Sequence, residues 1–77
     1  MTPPTILDAA VAATHAIDAT LRTRDAARQA HARQLQRALV DAIAKYVGAL
    51  AGDELEGRRR REQFDEFDAL AREVRQA

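Results

Sequence analysis

The chain has 77 residues and no cysteine, and its twelve basic side chains balance twelve acidic ones to a formal charge of zero. That length holds one domain and buries only roughly 60–65% of its unfolded surface, so a core of its own is marginal. Without cysteine, disulfides and thiolate metal sites are excluded as reinforcement, and a zero net charge gives no whole-molecule drive toward nucleic acid or a membrane.

Met1-Thr2-Pro3-Pro4 reads as a disordered leader. It lacks the charged segment and apolar run of a secretory signal, and no later stretch approaches the roughly 18 consecutive apolar residues of a membrane span. A cytoplasmic protein without membrane contact is the expectation. Thr5 then suits an N-cap, with Asp8 three residues on as an acidic capping box.

From Ile6 to Val47 there is neither glycine nor proline, which predicts one long helix over residues 5–47. Stepping 100° per residue from Leu35, the residues Ile6, Ala10, Ala13, Ile17, Leu21, Ala32, Leu39, Ile43, Tyr46 and Leu50 fall within about 80°. The stripe recurs every eleven residues, a period that keeps it straight or slightly right-handed. Arg24, Arg28 and His31 interrupt it, with Asp25 at its edge. Two readings follow: a continuous helix with a polar middle, or a break near Thr23 that yields three shorter helices. The absence of a helix breaker and the shared phase on both sides favour the first.

Residues 48–53 form the predicted turn, with Gly48 or Gly52 as the left-handed residue that stops the helix. Asp53 is then the N-cap and Glu56 the capping-box partner of a second helix over 54–76, in which Gly57 costs about 1 kcal/mol. Phe64, Phe67, Leu70, Ala71 and Val74 share one face of that helix, and charged residues cover the other.

Of the apolar residues, which are 47% of the chain, eighteen are alanine. The larger ones suffice for a helix–helix seam and not for a broad core. The expected fold is therefore all-α: a helical hairpin of a long and a shorter amphipathic helix, dimerising into an antiparallel four-helix-bundle-like assembly. Its interface would use Ile6, Ile17, Leu21, Leu35, Leu39, Ile43, Tyr46, Leu50, Phe64, Phe67, Leu70 and Val74. Two long helices antiparallel about Arg28 would pair Leu21 with Leu35 and Ile17 with Leu39. Arg24, Asp25, Arg28 and His31 would set the register, with Asp25 facing the partner chain's copy of His31.

Arg58-Arg59-Arg60-Arg61 is the densest basic run. It reads as a paired surface, Arg58 reaching Glu62 and Arg61 reaching Asp65 at i,i+4, while Arg60 falls on the apolar face beside Phe64 and Phe67. Arg22, Arg24, Arg28, Arg33 and Arg37, opposed only by Asp25, make the better nucleic-acid zone, helped by Gln29, Gln34 and Gln36. No recognised DNA-reading module accompanies them. Contacts to nucleic acid or an acidic partner would involve Arg22, Arg33, Arg37, Arg58 and Arg60.

His15 and His31 lie too far apart for a metal site with convergent ligands. There is no serine and no cysteine to act as nucleophile, and Gly48-x-x-x-Gly52 lacks the ending of a phosphate loop. No cofactor and no enzymatic activity are expected. Eleven arginines against one lysine suggest a GC-rich bacterial, phage or plasmid genome. The expected function is a non-enzymatic protein–protein interaction or regulatory module, a homodimer or an adaptor for a larger host protein. The alternative is a small nucleic-acid-binding regulator.

Overall fold

The computed structural model describes residues 4–76; most of the expected leader, residues 1–3, lies outside them, as does Ala77. Three helices run in chain order: α1 Ile6–Leu21, α2 Ala26–Ala51 and α3 Gly57–Gln76. All three pack against one another.

The capping box forms as the sequence predicts. Thr5 N–H donates to the Asp8 carboxylate at 2.9 Å, and Asp8 N–H donates to the Thr5 hydroxyl at 3.1 Å. These bonds satisfy two N-terminal donors of α1 that the helix itself cannot pair.

The continuous helix over 5–47 does not form; the chain turns at Arg22–Asp25 instead. Side chains, rather than glycine or proline, make this turn. The Asp25 carboxylate accepts from the N–H groups of Ala27 and Arg28 at 3.0 and 3.2 Å and so starts α2 as its N-cap. The Gln29 amide reaches back and donates to the carbonyls of Thr23 at 2.6 Å and Leu21 at 3.3 Å, closing the end of α1. The polar residues that interrupt the stripe were the mark of this break. The constant phase on either side was not evidence against it, because a hairpin also needs both helices to turn their apolar faces inward.

The second turn is built differently. Gly48 lies inside α2, and Gly52 is the C-cap at φ −88°, ψ 1°. Asp53 takes the left-handed conformation, φ 53°, with its N–H donating to Leu50 and that of Glu54 to Ala49 at 3.2 and 2.8 Å. This is the double bond pattern of a Schellman motif, with aspartate where glycine is usual. Asp53 is thus the end of α2 rather than the N-cap of α3. Helix α3 begins at Gly57 instead, whose φ of +51° is open to glycine without steric cost. The penalty expected for a glycine within the helix therefore does not apply.

The core contains Ile6, Ile17, Leu35, Leu39, Phe67, Leu70 and Val74, together with six alanines: Ala9, Ala10, Ala13, Ala32, Ala42 and Ala71. Ala13, Ala32, Ala42 and Phe67 have no exposed surface. Small side chains let helices approach closely, and the large Phe67 ring fills the space between them. Tyr46 meets that ring edge-on, centroids 6.2 Å apart at 83°, a favoured aromatic geometry. The face predicted for α3 is confirmed from Phe67 to Val74, with Phe64 half-buried beside it. Gln63, not foreseen, is also buried, and its amide donates to the Ala42 carbonyl at 3.3 Å.

Candidate interaction surface

Most residues expected to meet a second chain meet their own. Ile6, Ile17, Leu35, Leu39, Phe67, Leu70 and Val74 are buried within the monomer, and Leu21, Tyr46 and Phe64 pack against them. The break at Arg22–Asp25 lets α1 fold back on α2 and cover the stripe internally, so the monomer holds no continuous helix over 5–47 to pair about Arg28. Of the expected interface residues, Ile43 and Leu50 remain exposed.

Around those two lies an apolar strip that the wheel did not single out. Val40, Val47 and Leu50 are 60%, 56% and 52% exposed, Ile43 is 38%, and on α1 Leu7 and Val11 are 60% and 46%. The four α2 residues fall within about 80° of one another on the helix wheel, along the flank next to the buried face. Their place on that flank leaves all four uncovered, and helix lengths add to the exposure at the C-terminal end. Helix α1 has 16 residues and α2 has 26, a difference of ten, or about 15 Å. After the short turn at Arg22–Asp25, α1 is too short to cover the C-terminal turns of α2. At that end Ile6, Leu7, Tyr46, Leu50, Leu55 and Phe64 line an open groove of about 670 Å³, with Arg60 and Arg61 on its rim.

The strip continues toward the start of α2 as a basic surface. Arg33 and Arg37 lie on the same side of the helix wheel as Val40 and are exposed. Neither has an ion-pair partner among the described residues, and the same is true of Asp53 and Glu56 beyond the other end of the strip. In chain order the flank and the turn after it thus pass from basic through apolar to acidic.

The other predicted polar residues are dispersed. Arg22 pairs with Asp18 at 3.0 Å, and Arg28 stands 3.9 Å from Asp25. Asp25, committed to capping α2, sits in the turn with Arg24, not in the middle of a helix seam, and His31 is half-buried on α2 without an ion-pair partner among the described residues. Gln29, expected to assist nucleic-acid contact, is occupied by the turn.

In the arginine run neither Arg58–Glu62 nor Arg61–Asp65 is an ion pair. Arg59 instead binds Glu54 at 2.7 Å, and Arg60 donates to the Leu55 carbonyl at 3.4 Å. The Schellman turn folds the Glu54 carboxylate back over the start of α3, whereas exposed i,i+4 pairs gain little from closing. Lys45 and Glu66 add a pair at 3.5 Å across α2 and α3.

No group of three or more His, Asp or Glu side chains converges among the described residues, and no helix among them is long and apolar enough to cross a membrane. No protein-family model matches the chain, and neither the curated proteins nor the solved structures give a match.

Proposed function

We propose that the protein is a non-enzymatic protein–protein interaction or regulatory module that acts as a homodimer through the outer flank of α2, with Leu7 and Val11 of α1 beside it. The observation that carries this reading is the exposure of Val40, Ile43, Val47 and Leu50 in a row. A small chain with few large apolar residues leaves four of them on one helix flank, an arrangement that marks interaction surfaces in soluble proteins. The internal core supports a folded monomer, so the dimer is an association of folded units and not the condition for folding. The arginine-rich, lysine-poor composition is in keeping with a bacterial, phage or plasmid source.

Sedimentation equilibrium tests this. The mass should rise from 8.5 kDa toward twice that value at tens of micromolar protein, with a melting temperature that climbs with concentration. A constant monomer mass across that range, with a concentration-independent melt, overturns self-association.

The nucleic-acid alternative rests on the exposed, unpaired Arg33 and Arg37. Ion pairing of Arg22, Arg28 and Arg59 and the use of Gln29 in the turn weigh against it. Phosphate binding would fall steeply between about 50 and 200 mM salt, whereas apolar association would not.

A further inference from the structure

Two hollows on the surface of α3 are lined by charges of both signs. One holds Glu54, Glu62 and Glu66 with Lys45 and Arg59, the other Asp65, Asp68 and Glu73 with Arg72. The groove at the end of the bundle is different. No aspartate or glutamate lines it, and its only charged residues are Arg60 and Arg61. In a chain whose charges balance to zero, the groove is a local excess of positive charge.

Neither arginine is neutralised from within. Arg60 donates to the Leu55 carbonyl at 3.4 Å, a long contact that leaves most of the five guanidinium donors unused. Arg61 has no ion-pair partner among the described residues, although Asp65 stands one turn further on. Both arginines are exposed. The first turn of α3 contains no acidic side chain, so the arginines add to the positive end of the helix dipole and nothing offsets it there.

Behind the arginines the groove is apolar, and all three helices contribute to it. Leu7 and Leu50 are exposed, Tyr46, Leu55 and Phe64 are half-buried, and Ile6 is buried. Its volume of about 670 Å³ falls within the roughly 300–1,000 Å³ of small-molecule sites. A cationic rim over an apolar hollow is complementary to one kind of small ligand, an apolar chain that ends in an anion.

We infer that the groove binds a single-chain anionic amphiphile of the fatty-acid type, its carboxylate at Arg60 and Arg61 and its chain along Ile6, Tyr46, Leu55 and Phe64. A guanidinium fork matches the two oxygens of a carboxylate, and each methylene removed from water adds to the affinity. An uncharged chain gains only the second contribution, and a cationic one is repelled at the rim. The site is complete within one chain, so it is independent of the self-association proposed above.

Tyr46 is the only tyrosine, and the chain has no tryptophan, so intrinsic fluorescence reports from the groove itself. Decanoate titrated into dilute protein, below micelle formation, should change the Tyr46 emission saturably at one equivalent per chain. From hexanoate to decanoate, each added methylene should tighten binding by about twofold to fourfold. Uncharged 1-decanol should bind about tenfold more weakly than decanoate, and decyltrimethylammonium should not bind. Arg60→Gln and Arg61→Gln should each weaken decanoate binding by about threefold to tenfold, and the double variant should hold decanoate no better than 1-decanol. Val40→Ser, on the outer flank of α2, should leave binding unchanged.

Undiminished decanoate affinity in a double variant of intact helical content overturns the role of the arginines, as does equal affinity for decyltrimethylammonium. Affinity independent of chain length overturns the apolar half of the site. Weakening by Val40→Ser as large as that by the arginine variants places the ligand on the flank and not in the groove. Co-sedimentation with phosphatidylglycerol vesicles, without saturable decanoate binding, overturns the soluble ligand in favour of a membrane surface.

Discussion

Leu39 and Val40 are neighbours in sequence with opposite fates: Leu39 is 5% exposed and Val40 is 60%. Leu39 sits between Ala32, Leu35 and Ala42 on the face of α2 that meets α1 and α3, while Val40 starts the uncovered flank that ends at Leu50. The inner face owes its density to the small residues around its leucines, the outer to nothing within the chain. Apolar character alone does not separate the two; the 100° step around the helix does.

Exchanging side chains between these faces tests the difference. Leu39→Ala empties a packed site and should cost about 2–5 kcal/mol, read as a large drop in the thermal midpoint of the far-ultraviolet signal. A cost near zero would mean that the inner face is not packed as described. Gly48→Ala lies inside α2 with nothing within 4 Å of the added Cβ. It should raise stability by about 0.5–1 kcal/mol through helix propensity alone, measured by urea titration. Val40→Ala should move the stability of dilute monomer by less than about 0.5 kcal/mol and still weaken self-association. If it destabilises the monomer as strongly as Leu39→Ala, the flank is covered from within and carries no interface.

The same comparison explains what could be read from the sequence. The capping box at Thr5 and Asp8 was legible because its signal is local, two side chains and two backbone groups within one turn. So was the apolar face of α3, where charged and apolar residues separate cleanly. The turn at Arg22–Asp25 was not, because its closure depends on Gln29 reaching carbonyls six and eight residues back, and the four turn residues are all compatible with helix. Asp53 misled for a related reason. Aspartate is both a good N-cap and one of the few residues that tolerate the left-handed region, and the hydrogen bonds to Ala49 and Leu50 decide for the second role. The candidate surface was half visible. Ile43 and Leu50 belong to the predicted stripe, but Val40 and Val47 gain significance only once that flank of α2 is seen to be left uncovered by α1 and α3.

The Arg22–Asp25 turn has one more consequence. No residue in it forbids a helix, so a chain whose α1 swings outward can run from α1 into α2 as a single rod. Every core position vacated by α1 is then open to the corresponding arm of another molecule, with the same burial on both sides. Such an exchange of arms sacrifices only the hairpin's own caps from Asp25 and Gln29, and once made it is released only when the cores open again. Refolding from denaturant at high protein concentration should therefore yield long-lived, arm-exchanged species that refolding at high dilution does not.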